Sequence, residues 1–290
     1  GPVVHLLSNR RYAVMVTAAG GGYSAWNERA VTRWREDPTR DALGSFVYIA
    51  DVASGRHWSA TFQPTAVPPD TYEAHFAEER ASWSRQDGEL HSTLELVVLP
   101  TDDAELRRLT LHNRGSEPRT LELTSYAEVV LAPHAADVAH RAFSNLFVRT
   151  EWVAERRGTL LANRRPRGLD ELPLWAGHCV AAGGDVLDTV QYETDRARFL
   201  GRNGELHAPL ALQPGRALSN SAGTVLDPVF SLRVRLTLAP GESRAVTFAT
   251  FVGPTREAAL ALADLLRQGG CFERAAMQAW TYARAGLHPL

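Results

Sequence analysis

The strongest constraint on this chain is a change of rhythm near its end. Between residues 5 and 252 apolar residues recur in short runs closed by turn signals; after Thr255 they recur at helical spacing. Strand-like runs fall at 12–16, 46–51, 56–62, 72–76, 81–86, 91–99, 106–113, 119–131, 147–153, 159–162, 174–182, 230–238 and 244–251. Ser54-Gly55 and Asp87-Gly88 mark tight turns, because glycine reaches backbone angles that other residues avoid. The segment LTLHNRGSEPRTLELTSYAEVVL reads as a hairpin of two long strands with Leu121 and Leu123 on one face. The runs flanking Pro240-Gly241 read as a second pair. Two helices are expected at the end, split by Gly269-Gly270: one over 255–268 with Ala258, Leu262 and Leu265 in line, the other over 271–285 with Ala276, Trp280 and Ala283 in line. Strands in succession followed by helices exclude an alternating βαβ arrangement. The expected fold is mainly β: a large antiparallel sandwich over 3–252, then a helical segment over 253–290.

At 290 residues the chain can bury roughly three quarters of its unfolded surface, so it needs neither disulfides nor metal to fold. Cys179 and Cys271 lie far apart and form no CxxC, which fits a reducing compartment. The net charge of −2 gives no basic face for nucleic acid. All 31 basic residues are arginine. No run of 18 apolar residues and no leader segment is present, so the expected location is cytoplasmic.

The most particular stretch is 20–41, GGGYSAWNERAVTRWREDPTRD. Its three glycines let other groups approach the backbone closely. Neither GxxxxGK[ST] nor GxGxxG is present, so this is no phosphate loop. With no clean period, the stretch reads as an ordered loop. Flat rings beside planar guanidinium forks suit sugars, whose C–H faces stack while hydroxyls bond to charge. Tyr23, Trp26, Arg33, Trp34, Arg35, Arg40 and Asp41 are the candidates for substrate binding or docking, with Trp26, Arg33, Trp34 and Arg35 expected to be partly exposed. The plainer reading pairs these arginines with Glu28, Glu36, Asp37 and Asp41.

Elsewhere chemistry is sparse. There is no HExxH and no GxSxG, and His134, Asp137 and His140 are more readily loop residues than metal ligands. No metal or cofactor is called for. Three further stretches are too particular for plain scaffold: HRAFSNLFV from His140, YETDRARFLGRNG from Tyr192, and GTVLDPVF from Gly223.

The run LLSNRRYAVMVTAAGGGYSAWNERAVTRWREDPTRD resembles the start of the phosphorylase-like region of cyclic β-1,2-glucan synthases. HRAFSNLFV, TDRARFLGRNG and GTVLDPVFSLR resemble later signatures of that region. The wider family is that of cellobiose and chitobiose phosphorylases, glycoside hydrolase family 94. The resemblance runs over essentially the whole chain. Two departures stand out: the family's usual TRYR is TRWR here, keeping a ring at Trp34 but no phenol hydroxyl, and its frequent HPAF is His140-Arg141-Ala142-Phe143.

The resemblance implies a galactose-mutarotase-like β-supersandwich whose helical linker leads to an (α/α)6 barrel carrying the catalytic acid and the phosphate site. No residue of this chain matches that acid, so none is assigned as catalytic and the chain alone is expected to be inactive. The implied role is a non-catalytic domain of a β-glucan phosphorylase or cyclic glucan synthase. Its implied partners are that barrel, weakly held β-glucan oligosaccharides and a second copy in a homodimer, in a parent protein associated with the inner membrane. Two alternatives stand beside it: an autonomous carbohydrate-binding module, and a mutarotase-like aldose epimerase, for which His75, His134, Glu73 and Glu128 could supply the acid and base.

Overall fold

The computed structural model describes residues 3–35, 43–183, 187, 189–202 and 204–286. The chain opens with β1 (Val4–Ser8), β2 (Tyr12–Thr17), β3 (Gly22–Trp26), β4 (Arg29–Thr32), β5 (Phe46–Asp51) and β6 (His57–Ser59). It continues with β7 (Thr71–Ala77), β8 (Arg80–Asp87), β9 (Leu90–Val98), β10 (Ala104–Asn113) and the long β11 (Arg119–Pro133). Two short helices, α1 (His134–Ala139) and α2 (Arg141–Asn145), precede β12 (Val148–Trp152), β13 (Thr159–Arg164), β14 (Leu174–Ala181) and β15 (Gln191–Asp195). The rest is α3 (Arg196–Leu200), β16 (Pro228–Leu238), β17 (Ser243–Gly253), α4 (Arg256–Leu266) and α5 (Cys271–Ala285).

Among the described residues the strands make two antiparallel sheets. One has nine strands in the order β1-β2-β3-β4-β11-β16-β15, with β5 also pairing β11 and β6 beside β5. The other has eight, β12-β13-β14-β17-β10-β9-β8-β7. The inner faces meet in one core: Leu121 and Leu123 of β11 and Val234 of β16 pack with Leu94, Leu96, Leu109, Leu111 and Phe248 of the opposite sheet. The expected antiparallel sandwich is what the chain forms, and Leu121 and Leu123 do share a face.

The strand connections differ from the expected hairpins. β10 pairs with β9 and β17, whereas β11 pairs with β16, β5 and β4. The turn between β10 and β11 therefore arches from one sheet to the other, and so does Pro240-Gly241 between β16 and β17. The two arches lie side by side. The amide of the buried Asn113 donates to Glu117 O at 2.8 Å and to Leu238 O at 3.2 Å, and Gly241 N donates to Asn113 O at 2.8 Å. Hairpins and arches use the same turn residues and the same alternation, so periodicity does not separate them. At Ser54-Gly55 the expected hairpin is present, as β5 with β6.

The stretch from residue 20, read as a loop, contains the hairpin β3–β4. Its two-residue turn places Asn27 at φ 51, a conformation asparagine tolerates, so four- and five-residue strands form without a long alternating pattern. Gly22, at φ 150, is required here: a Cβ would fall 1.9 Å from the Met15 carbonyl oxygen. Arg40 and Asp41, with Glu36 and Asp37, lie outside the described residues.

Both outer faces are partly covered. Phe199 and Leu200 of α3, with Leu212 and Leu218, pack on Phe46, Tyr48 and Tyr126 of the nine-stranded sheet. The segment around 192–222, read as irregular, thus contributes β15 and α3 and a cover for that sheet. On the other side α4 and α5 pack Ala259, Leu260, Ala263, Leu266, Phe272 and Ala276 onto Val97, Leu106, Leu161 and Phe251. Thr255 caps α4, its hydroxyl accepting from Ala258 N at 3.1 Å. The buried face of α4 is one residue round from the expected one, leaving Leu265 exposed, and Trp280 of α5 is 45% exposed. Among the described residues no helix is long and apolar enough to cross a membrane.

Candidate functional site

Four of the singled-out stretches converge at one end of the nine-stranded sheet. Just past β4, Arg33 extends the pairing with β11 through its backbone N–H to Glu128 O at 3.0 Å. Its guanidinium turns inward, where it is only 2% exposed. Nη1 donates to Glu128 Oε1 at 2.7 Å, Nε and Nη2 grip the two oxygens of Asp137 at 3.1 Å each, and Nη2 also reaches Asn145 at 3.2 Å. Asp227, just before β16, lies 3.4 Å from Nη1 and takes a 2.6 Å bond from Arg141. Glu128 further accepts from Tyr126 Oη at 2.9 Å, Arg196 Nε at 3.1 Å and Arg141 Nη2 at 3.2 Å. Arg35 donates to Asp137 Oδ2 at 2.7 Å.

Three carboxylates therefore meet four guanidiniums, with Arg33, Glu128 and Asp137 buried and Arg35, Arg141, Arg196 and Asp227 partly exposed around them. Burial would push Glu128 up, but Arg196, Arg33 and Arg141 hold its carboxyl below its ordinary value. Asp137 behaves alike: burial opposes ionisation, and its bonds to Arg33 and Arg35 win. Arg33 is held ionised above its ordinary value by Asp137 and Glu128 despite burial. The planar forks of arginine make this possible, since one guanidinium can bond several carboxylates in fixed directions.

The expectation that Arg33 is partly exposed is thus overturned. It is consumed by Glu128 and Asp137 and offers no charge to a ligand. Its partners among the described residues are remote in sequence. Trp26, Trp34 and Arg35 are partly exposed, as expected. Trp34 and Tyr23 come together with ring centroids 5.6 Å apart, and with Thr32, Arg29 and His134 they line a pocket of about 280 Å³. Trp26 does not join them: side chains alternate along β3, and Trp26 points the other way, donating to Asp103 Oδ2 at 2.9 Å. Ser24, on that same face, bonds the buried Glu105.

Around the cluster the surface carries several exposed apolar side chains among charged ones. Val138 of α1, Phe143 of α2, Leu146, Leu169, Leu172 and Leu226 are all more than half exposed. The Arg167 guanidinium lies 4.6 Å from the ring centroid of Phe143 and 4.5 Å from that of Phe147. Arg29, on the pocket wall, donates to Leu172 O at 3.0 Å and joins the two surfaces.

The acid–base candidates of the epimerase reading are not gathered. His75 and Glu73 sit exposed on β7, at the far edge of the eight-stranded sheet, while Glu128 is locked in ion pairs on β11 of the other. Asp137 spends its oxygens on Arg33 and Arg35, and among the described residues no group of three His, Cys, Asp or Glu side chains could hold a metal. Asp227, Asn145 and Arg141 of the cluster were not singled out from the sequence as acting with Arg33. The available signal was that each stretch carried an arginine or an acid without an obvious local purpose.

Comparison with known proteins bears out the family resemblance over most of the chain. The family model described as "Glycosyl hydrolase 94, supersandwich domain" matches residues 1–269. The cyclic beta-(1,2)-glucan synthase NdvB of Rhizobium meliloti is 38% identical over 282 residues, covering 97% of this chain and 10% of the synthase. An N,N'-diacetylchitobiose phosphorylase of Vibrio proteolyticus is 28% identical over 261 residues, covering 87% of this chain and 31% of the phosphorylase. This chain therefore spans a tenth to a third of the length of these relatives. A bacterial glucoamylase complexed with acarbose, 9% identical, shares the fold with a TM-score of 0.53 over 97% of this chain and 36% of its own.

Proposed function

Since the chain belongs to the glycosyl hydrolase 94 supersandwich family, we propose that it is the non-catalytic sandwich of a β-glucan phosphorylase or cyclic β-1,2-glucan synthase. It supports glycosyl transfer or phosphorolysis by packing on a catalytic (α/α)6 barrel. The observation that carries this reading is the apolar surface of α1, α2 and the 164–172 segment, held on a buried ion cluster. Exposed apolar patches of this kind, with stacked arginine at the edge, are what protein partners cover. The relatives are three to ten times longer than the matched segment, which leaves a catalytic region to be that partner. Tyr23 and Trp34 then stand beside the junction, where they stack weakly on β-glucan oligosaccharides. Arg33, buried, and Trp26, on the opposite face of β3, act on this surface only by holding β3 and β4 in place.

The test is to mix this chain with the catalytic region of the glucan synthase relative, expressed separately, and follow association by calorimetry. Phe143→Glu with Leu146→Glu should abolish the complex, and Trp280→Glu, on α5, should leave it intact. Binding that is indifferent to the first pair, or lost with Trp280→Glu, places the interface elsewhere.

A further inference from the structure

Helix α5 buries one face and leaves a patterned one bare. Phe272, Ala275 and Ala276 pack onto the eight-stranded sheet. Glu273, Met277, Trp280 and Arg284 are exposed, Met277 by 64%. Their spacing of four, three and four residues is that of the seam one helix presents to another. The centre of this seam is apolar. Its N-terminal end carries an acid and its C-terminal end a base.

A recess of about 380 Å³ opens on the seam, lined by Glu273, Ala276, Met277 and Trp280 and walled by Phe272 and Arg108. The first four stand at i, i+3, i+4 and i+7, as do the four residues that form the hole for a knob from a facing helix. Ala276 is the small residue among them, which gives the hole its depth. The wall is firm: the Arg108 guanidinium lies 4.1 Å from the ring centroid of Phe272 and donates to Glu95 Oε2 at 2.9 Å. The end charges remain accessible. Arg108 Nη1 donates to Glu273 Oε1 at 2.8 Å, yet the Glu273 side chain is still 66% exposed. At the other end the Arg284 guanidinium lies 5.1 Å from the ring centroid of Trp280, which holds it along the seam.

We infer that this face binds a second copy of the same chain, through an antiparallel pair of α5 helices about a two-fold axis. The pattern is self-complementary in that orientation, because 273 and 284 lie symmetrically about the same midpoint as 277 and 280. Glu273 of each copy meets Arg284 of the other at both ends, and each Trp280 enters the recess beside the other copy's Met277. A two-fold contact requires such a surface, since the same patch must fit itself. A parallel pair is disfavoured, for it would set Glu273 on Glu273 and Arg284 on Arg284. The seam spans about three helical turns. That is small beside the roughly 800 Å² per partner of a standard interface, so the dimer is weak, with a dissociation constant on the order of 0.1 mM. The contact is separate from the α1–α2 surface and does not depend on what covers that one.

The test is sedimentation equilibrium of the chain from about 1 µM to 1 mM, a range that brackets the expected constant. The average mass should rise from one chain towards two. Met277→Glu and Trp280→Glu, both at exposed positions, should hold it at one. Glu273→Arg and Arg284→Glu should each weaken pairing at least about tenfold, because each sets like charges together at both ends. Mixed in equal amounts these two variants should pair again, since the mixed dimer restores an acid opposite a base at both ends. If Glu273→Arg does not fold without its bond to Arg108, as judged by circular dichroism, Arg284→Glu and Met277→Glu carry the test. A chain that stays single up to 1 mM overturns the proposal. So does self-association that survives Met277→Glu or Trp280→Glu, which would put the contact elsewhere. Folded charge variants that stay single when mixed also overturn it and leave the face to another partner, such as the catalytic region.

Discussion

Replacing Arg33 by Met keeps most of the side chain's volume and removes its charge from the buried cluster. In the unaltered protein Arg33 pairs with Glu128 at 2.7 Å, with both oxygens of Asp137 at 3.1 Å and with Asp227 at 3.4 Å. The losses are unequal. Glu128 would keep Arg196 at 3.1 Å, Arg141 at 3.2 Å and the Tyr126 hydroxyl. Asp137, 1% exposed, would keep, among the described residues, the half-buried Arg35. Breaking a buried pair on one side costs about 3–5 kcal/mol, because a charge is left uncompensated. With one of the two carboxylates still well served, the lower part of that range is expected. Adding Asp137→Asn should recover part of the loss, as residues sharing one network couple by about 0.5–3 kcal/mol. Urea unfolding at neutral pH, followed by tryptophan fluorescence, measures both. The sign with pH is also fixed: carboxyls held below their ordinary values stabilise the fold above the carboxylate range, and that stability is lost as pH falls through their lowered folded-state values. Arg33→Met removes much of that contribution, so its stability should fall less steeply than the parent's as pH drops through the carboxylate range. A cost under about 1 kcal/mol, the level of an exposed pair, would refute the view that this cluster organises the end of the sheet.

Two further outcomes are expected. His178 lies between the sheets, stacked between Phe230 and Phe248 and bonded to Ser125 at 2.7 Å and Thr250 at 3.0 Å, and burial pushes its pKa down to about 3. The folded state keeps it neutral, so stability is full above about pH 6.5 and falls as pH drops towards 3, by about 2 kcal/mol at pH 5; His178→Gln should show a shallower pH slope, and equal slopes would sink the assignment. Incubated with β-1,2-glucooligosaccharides and phosphate, the chain should yield no glucose 1-phosphate, since on the proposed reading the acid that protonates the leaving oxygen belongs to the barrel; binding through Tyr23 and Trp34 should be about millimolar, roughly 4 kcal/mol, and turnover abolished by changing any carboxylate of this chain, Glu28 on the pocket wall first, would place the chemistry here.

The sequence carried the architecture well and the connections poorly. Alternation located most of the strands and the change of period at Thr255 located α4 and α5, because both signals are local. Which sheet each strand joins is not local, so β10–β11 and β16–β17 read as hairpins although they are arches. Along β3 the difference between Tyr23 and Trp26 is one of parity, and without an assigned strand there was no parity to read. Arg33 stood out correctly as unusual, but its partners lie 95, 104 and 194 residues away, beyond any spacing rule. The resemblance found the four stretches together without saying that they meet.

Their meeting explains how a surface so poor in regular structure can be rigid. Helices α1 and α2 have six and five residues, too few to hold their shape unaided. Each is instead pinned from beneath: α1 by Asp137 on Arg33 and Arg35, α2 by Arg141 on Asp227 and by Asn145 on Arg33. With Asp137 and Asn145 turned in, α1 presents Val138 and α2 presents Phe143 to the outside, with Leu146 just beyond. A buried ion pair beneath exposed apolar side chains departs from the ordinary arrangement of a globular surface. A patch already fixed in position loses little side-chain and loop entropy when a partner covers it, so a modest apolar area can give a specific contact. The cluster and the patch are on this view one device, with the ion pairs supplying the rigidity that the exposed residues need in order to dock.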